Sequence, residues 1–446
     1  MSADSTQRQK ARVVGILAGG GELPREVAEG LRDRGCGVVV VALEGEADND
    51  FKGFPVTRLG WGKVGGMIRA FRAGGARDII IIGRVSRPDL KRIRPDLGFL
   101  LGVPELLALM LRGGGDDRVL RAVIRFFERR GLRVAGLPQL VPHLIVGRGL
   151  AGAARPTSAD VADMALAAAV LAALSPFDVG QGVVVAEGRV EAVEAAENTD
   201  AMLERVAVRR RAEGRNRRVG VLVKLTKRGQ ERRIDLPAIG QRTALGAAAA
   251  GLAGIGVEAG GVVVVRREET MARADAAGVF IAGIDGLAPA TGEAPGIAPT
   301  SADAADTAWR VFGAAKASAR VLGDAERGAE VMAAVAPFQI GRAVVLSRRY
   351  VLGVEAGEGV EALLGRVGGL RQWGARGSRR RSGVVVLATL ADLTPHVAAL
   401  AAEAGLAAIA IADDGGGIVG SAVLEAARLA RIVVLGRVGH STEAGA

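Results

Sequence analysis

A short polar stretch between two apolar segments carries the side chains best suited to chemistry. It follows the strand-like run 220–223 and contains Lys224, Lys227, Gln230 and Asp235, and we call residues 224–240 the polar loop. A proline and a glycine near its end indicate a turn rather than a helix. Cations and an amide suit a phosphate ester, and a carboxylate beside them suits a divalent metal or an attacking water. A solvated basic hairpin is the simpler interpretation of the same residues.

Composition narrows the classes of protein to which the chain can belong. The formal net charge of +11 favours anionic partners, namely phosphorylated ligands or acidic lipid headgroups. Nucleic acid is disfavoured because aromatic residues, which stack on bases, make up 3% of the chain. One cysteine excludes an intrachain disulfide, and three histidines leave no His-rich metal cluster. The polar N-terminus predicts no signal peptide, and the apolar run 164–174 is too short to predict a membrane span.

The first 150 residues alternate between apolar strands and helices, which predicts a Rossmann-like domain with a parallel sheet. Gly19, Gly20 and Gly21 follow the first strand, where free backbone N–H groups could bind a phosphate. The third glycine of the dinucleotide fingerprint is missing, and the turn could simply be tight. The strand end Gly83-Arg84-Val85 is expected at the same carboxyl edge of the sheet, where open sheets bind ligands.

Two further sets of polar residues stand at predicted helix starts. Asp116 and Asp117 are either caps or ligands of a metal or a sugar hydroxyl. Thr199 and Asp200 follow a strand, and the Thr199 hydroxyl either caps the helix or binds a phosphate oxygen. Farther upstream, Ser158 or Asp160 is expected to cap an alanine-rich helix.

The chain contains an internal repeat. Residues 176–206 and 337–367 align without a gap and are identical at 14 of 31 positions. We therefore predict an α/β domain over 157–286, the first copy, and a divergent, structural duplicate over 300–446, the second copy. The conserved positions are mostly apolar or glycine. In contrast, Thr199 and Lys224 align with Val360 and Leu387, and the second copy is nine residues shorter where the polar loop stands. This selective loss favours a chemical role for the loop.

Several motifs resemble those of a known enzyme family. ILAGGGELP, GDDRVLR, EAAENTDAML and VLVKLTKRGQERRIDLPAIG occur in order within residues 12–286. They resemble the UDP-2,3-diacylglucosamine diphosphatases of lipid A synthesis, of the two-domain, metal-dependent kind. The resemblance implies hydrolysis of the pyrophosphate bond of this lipid with Mg²⁺, giving UMP and 2,3-diacylglucosamine 1-phosphate.

The resemblance, together with the charges of the side chains, predicts roles for individual residues. Asp235 is the expected catalytic aspartate and a metal ligand, with Asp116 and Asp117 as secondary metal candidates. Lys224 is expected to act in catalysis by neutralising the diphosphate. The expected substrate contacts are Gly19, Gly20, Gly21, Gly83, Arg84, Val85, Thr199, Asp200, Lys227 and Gln230. The lipid substrate and the basic surface together predict a cytoplasmic protein that is peripheral on the inner face of the inner membrane. The sequence allows a homodimer without requiring one.

Two other functions are compatible with parts of the sequence. A non-catalytic regulatory protein that binds a nucleotide sugar would use the first domain alone. A Rossmann-type oxidoreductase is disfavoured by the missing third glycine and by the lack of an acidic ribose partner.

Overall fold

A computed structural model of the chain describes residues 12–85, 94–100, 116–287, 309–313, 316–370, 381–413, 415 and 417–437, with the side chains of 116–119 left out. Its strands are β1 Val13–Ala18, β2 Gly37–Leu43, β3 Val56–Leu59, β4 Asp78–Ile82, β5 Arg133–Val134, β6 Gly149–Leu150, β7 Gly182–Ala186, β8 Arg189–Val193, β9 Val221–Lys224, β10 Ala238–Ile239, β11 Gly254–Glu258, β12 Val263–Val264, β13 Phe280–Ile284, β14 Trp309–Phe312, β15 Ala343–Ser347, β16 Tyr350–Val354, β17 Val384–Thr389, β18 Ala408–Asp413 and β19 Val433–Arg437. Its helices are α1 Leu23–Asp33, α2 Val64–Ala73, α3 Asp116–Glu128, α4 Leu137–Leu140, α5 Ser158–Leu174, α6 Thr199–Ala212, α7 Gln241–Ala249, α8 Arg267–Ala276, α9 Ala319–Val335, α10 Val360–Leu370, α11 Pro395–Glu403 and α12 Ser421–Leu429.

The chain divides into two compact units whose boundaries differ from the three predicted domains. Of the described residues, those within Met1–Arg148, Gly229–Gln241 and Glu258–Ala272 form the first unit, and the others form the second. Two segments of the predicted second domain thus belong to the first unit. The pairing of β10 with β12, and of Val263 with Ile145, accounts for their membership. The division also runs through the polar loop, after Arg228.

The first unit is built on a parallel sheet of five strands in the order β3-β2-β1-β4-β5. Alternate residues of its central strands enter two different apolar clusters. Ile16 and Val40 lie in one cluster, and Leu17 and Val41 lie in the other. Strands that are apolar on both faces are typical of a sheet covered by helices on both sides. The predicted α/β class and the parallel sheet of the first domain are confirmed.

The second unit contains two sheets of six strands with the same strand order. One runs β6-β13-β11-β9-β7-β8 and the other runs β14-β19-β18-β17-β15-β16. Each ends in an antiparallel hairpin, β7–β8 or β15–β16, with a register shift at the same place. In each copy a buried aspartate of the preceding helix binds the hairpin turn. Asp163 accepts the amides of residues 187 and 188, and Asp324 accepts those of residues 348 and 349.

Two predicted helix caps are displaced by one position. Helix α5 is capped by Thr157 rather than by Ser158. The amide of Asp160 donates to Thr157 Oγ1 at 3.2 Å, and the two residues form a capping box. Helix α6 is capped by Asn198, whose Oδ1 accepts the amide of Ala201 at 2.9 Å. The side chain of Thr199 is therefore not the cap, because the residue before it already accepts that amide. The Thr199 hydroxyl instead donates to Glu194 Oε1.

One helix within the described residues has the length and composition to cross a membrane. It is the segment Ser158–Phe177, with a mean hydropathy of 1.5. The uninterrupted apolar run 164–174 is too short to predict a membrane span. The longer helical segment also contains the charged residues Asp160 and Asp163. Both carboxylates have partners within the fold, and the apolar residues of the buried helix face pack in the core of the second unit. Core helices of soluble proteins meet the same two criteria.

Candidate functional site

The glycine turn after β1 is held by hydrogen bonds within the first unit. The amides of Gly19 and Gly20 donate to the carbonyls of Ile82 and Arg84 at 2.8 and 2.7 Å. The amide of Gly21 donates to Asp48 Oδ1 at 2.8 Å. All three N–H groups thus have protein acceptors, and they are not free to bind a phosphate in this structure. Contact between these glycines and a ligand stays a prediction.

A close approach of two loops explains why glycines stand at this edge of the sheet. A Cβ on Gly19 would lie 2.5 Å from the carbonyl oxygen of Arg84. A Cβ on Gly83, whose φ is +106°, would lie 2.8 Å from the carbonyl carbon of Gly19. The strand ends of β1 and β4 therefore meet as predicted for the carboxyl edge of a parallel sheet. Arg84 and Val85 are exposed there.

The second half of the polar loop belongs to the first unit and presents Asp235. The amide nitrogen of Gln230 donates to Asp235 Oδ2 at 2.5 Å. Gln230 is buried, whereas Asp235 is exposed. Leu236 packs against the apolar cluster beneath the sheet. The buried side-chain amide of Gln230 thus orients the exposed carboxylate of Asp235. A group that positions a water molecule must be both oriented and accessible to water.

Charged neighbours fix the same half of the loop. Arg233 binds Glu231 at 2.8 Å and Glu128 of α3 at 3.0 Å. The hydrogen bond from Arg233 lowers the pKa of Glu231, and Glu231 in turn raises the pKa of Arg233. Arg232 binds Glu258 at 2.7 Å. The polar loop is therefore an ion-paired element and not a freely solvated basic hairpin.

A buried polar cluster in the second unit links Lys224 to Thr199. The ammonium of Lys224 donates to Thr199 Oγ1 at 2.5 Å, and the hydroxyl of Thr199 donates to Glu194 Oε1 at 2.9 Å. These side chains are 7%, 6% and 9% exposed. Glu194 was missed by the sequence analysis, although it stands five residues before Thr199 in the same motif. Its Oε2 is buried without a hydrogen-bond partner among the described residues.

The remaining predicted residues of this unit have ionic partners. Lys227 donates to Asp178 Oδ1 at 2.7 Å and to the carbonyl of Asp178 at 3.0 Å. Asp200 binds Arg242 at 3.1 Å. The structure therefore brings Lys224 together with Thr199, and Gln230 together with Asp235. Lys227 and Asp200 each pair with a residue outside the predicted set.

Known proteins match the chain along most of its length. A family model described as the LpxI N-terminal domain matches residues 13–144, and one described as the LpxI C-terminal domain matches 147–282 and 310–390. The UDP-2,3-diacylglucosamine pyrophosphatase LpxI of Caulobacter vibrioides is 42% identical over 279 residues, which are 61% of this chain and 98% of that protein.

The chain belongs to the LpxI family. The resemblance noted from the motifs is confirmed at this level, and the chain is a hydrolase that acts on a diphosphate bond. The match to 98% of the relative covers 61% of this chain, so this LpxI-family protein extends well beyond the relative's length.

The second copy of this LpxI-family chain keeps the scaffold of the buried cluster but not its cation. Leu387 pairs with Ala343 across β15 and β17, as Lys224 pairs with Gly182 across β7 and β9. The carboxylate at the position of Glu194 is retained as Glu355, which accepts the amide of Gly359 at 3.0 Å. Carboxylate and fold are therefore shared, and the lysine is specific to the first copy.

The donor set for a metal in this LpxI-family chain is small. No group of three His, Cys, Asp or Glu side chains that could hold an ion occurs among the described residues. The side chains of Asp116 and Asp117 lie outside the described residues, although α3 begins at Asp116. The exposed carboxylate of Asp235 still fits Mg²⁺, because this ion keeps several waters and often takes one or two carboxylates together with substrate phosphates.

Proposed function

We propose that this protein hydrolyses the pyrophosphate bond of UDP-2,3-diacylglucosamine to UMP and 2,3-diacylglucosamine 1-phosphate, a step of lipid A biosynthesis. The relative that is named for this substrate is 42% identical and is covered over 98% of its length. Within the chain, the observation that carries the proposal is the buried Glu194–Thr199–Lys224 cluster of the first copy. A buried ammonium held by a hydroxyl is suited to an anionic oxygen.

The diphosphate is the part of the substrate that Lys224 and Thr199 would bind. Charge grows on the phosphoryl oxygens and on the departing phosphate as the bond breaks, and a preorganised cation stabilises that charge. Lys227 adds a second positive charge, which Asp178 holds in place at 2.7 Å. These residues would bind and polarise the substrate without themselves transferring a proton.

Asp235 would orient the attacking water. Its Oδ2 is fixed by Gln230, which leaves Oδ1 to accept a hydrogen bond from water. We further propose that Asp235, with Asp116 or Asp117, contacts a bound Mg²⁺. The ion would supply positive charge at the phosphate oxygens.

The acyl chains of the proposed substrate favour a reaction at a membrane surface. We propose that the protein is cytoplasmic and docks peripherally on the inner face of the inner membrane. The formal charge of +11 supports attraction to anionic headgroups.

One assay tests the reaction and its metal requirement together. Substrate carrying a radiolabel in the uridine would be incubated with the full chain, with and without a chelator. We expect labelled UMP, loss of its release with chelator, and recovery on addition of Mg²⁺. Tight substrate binding without any UMP would contradict the hydrolase and favour the nucleotide-sugar regulator. Turnover that persists with chelator would support the hydrolytic activity and contradict the proposed Mg²⁺ requirement.

A further inference from the structure

The two copies of the second unit carry the same pair of charges at equivalent positions. Glu197 and Arg205 of the first copy stand 161 positions before Glu358 and Arg366 of the second. Within each copy the two side chains bind each other, at 2.5 Å for Arg205–Glu197 and 2.8 Å for Arg366–Glu358. Each copy thus has an ion pair of its own, with the glutamate just before an equivalent helix, α6 or α10, and the arginine within that helix.

The same four residues also bind across the copies, and they do so reciprocally. Arg205 lies 3.3 Å from Glu358, and Arg366 lies 3.4 Å from Glu197. None of the four side chains is more than 16% exposed. An interface in which one residue contacts a second, and the equivalents of both contact in return, is the signature of twofold symmetry. This quartet therefore marks a local twofold relation between the copies.

Backbone contacts and apolar packing extend the same interface. The amide of Ala196 donates to the carbonyl of Leu352 at 3.5 Å, and the guanidinium of Arg209 donates to the carbonyl of Ala356 at 3.2 Å. The equivalent helices α5 and α9 are in contact. One continuous apolar cluster takes in residues of both copies, including Leu171, Met332 and Val335. An apolar core of this kind is typical of obligate interfaces rather than of transient ones.

We propose that the two copies form an intramolecular pseudo-dimer. The second copy occupies the self-complementary face of the first, and this face is thereby closed to another chain. The chain is accordingly monomeric, and of its two copies only the first has a lysine at the position of Lys224. The inference depends on the quartet and the shared core, and it does not require the proposed reaction.

The buried quartet sets the register of the two halves. Burying charges costs desolvation energy that their attraction often only partly offsets, so we expect this quartet to contribute more to specificity than to net stability. Reversing the charges of one copy leaves its own pair intact but places like charges across the interface. Such a reversal consequently reports on the contact between copies and not on the fold of either.

The mass of the full chain gives the first test. Sedimentation equilibrium over about a hundredfold range of concentration should return the monomer mass of 45.7 kDa throughout. A mass near twice this value at any of these concentrations would overturn the proposal.

A charge-reversal cycle in the full chain gives the second test. The variant Glu358→Arg/Arg366→Glu should lower Tm by about 5 °C or more, and adding Glu197→Arg/Arg205→Glu should recover most of that loss. The exposed pair Glu425–Arg428 of α12 provides the control, since its reversal should leave Tm unchanged.

The fourfold variant decides the matter even if the first reversal fails to fold. Losses that add rather than cancel in this variant would refute a direct contact between the copies. An unchanged Tm in the first reversal would refute it equally.

Discussion

Asp235 and Asp392 each precede a leucine in the segment between a strand and the next helix of their copy, and they serve different purposes. Asp235 is exposed and has Gln230 as its hydrogen-bond donor. Asp392 is buried, closes a capping box with Thr389, and binds Arg342 at 2.5 Å. The first carboxylate faces water and the second completes a turn. The role of Asp392 is therefore structural.

This contrast gives a paired prediction at Asp235. Asp235→Ala should release UMP about a hundredfold more slowly, because an oriented water is lost, while Tm stays within about 2 °C of the native value. Asp392→Ala should lower Tm by several degrees and leave turnover per folded molecule unchanged. Radiolabelled turnover and thermal melting would be measured on both. Near-native turnover by Asp235→Ala would remove this residue from the mechanism.

The second copy also suggests how to test Lys224. Lys224→Leu places in the first copy the residue that the second copy has at the same point of its sheet. We expect kcat/KM for the diphosphate substrate to fall about 10²- to 10³-fold because the cation is gone, with the fold retained. Lys316→Leu, an exposed lysine of the second copy, is the matched control. Equal effects of the two substitutions on kcat/KM would show that Lys224 acts only through overall charge.

Among the elements, β8 is tied to α6 by a carboxylate that sequence patterns did not reveal. Glu191 binds Arg209, Arg210 and Arg215 at 3.2, 2.8 and 2.7 Å. Burial alone would raise the pKa of Glu191, but hydrogen bonds and charge from Arg210 and Arg215 hold that pKa below its ordinary 4.5. The ionised carboxylate therefore stabilises the folded state.

The sign of this pKa shift predicts a pH dependence. Because the pKa of Glu191 is lower in the folded state, its contribution is complete above about pH 4.5 and is lost as pH falls through the lower folded value. Glu191→Gln should lower Tm at pH 7 and make Tm vary less with pH below 4.5. Glu425→Gln is the control and should change neither, because solvent screens the exposed ion pair Glu425–Arg428 of α12. Parallel Tm–pH curves for the native chain and Glu191→Gln would contradict the assignment.

Element types were predictable because their apolar patterns are strong, whereas side-chain pairing was not. The strand before Gly19 and the helix after Pro24 follow from continuous apolar residues and a proline at a helix start. The role of Glu194 could not be predicted from the sequence, because nothing in a polar motif indicates that its carboxylate is buried. The sequence predicts a phosphate site at the glycine turn on the basis of free amides, yet these amides donate to Ile82, Arg84 and Asp48. The partners in these hydrogen bonds come from other parts of the chain, and sequence patterns do not show which residues meet.

At the scale of the whole molecule, the surface charge predicts a salt-dependent association with lipid. The full chain should co-sediment with vesicles that contain acidic phospholipid and should be released as ionic strength rises, since screening weakens the attraction. Vesicles of zwitterionic lipid alone are the control. Equal binding to both kinds of vesicle would point to apolar insertion in place of charge.

The quartet of Arg205, Glu197, Arg366 and Glu358 joins halves that share one polypeptide, and dilution cannot separate such halves. A tethered partner is present at an effective concentration on the order of millimolar, whatever the amount of protein in solution. The stoichiometry of the two halves is also fixed at synthesis. A cell that made very few molecules of this chain would therefore still have every one of them fully paired.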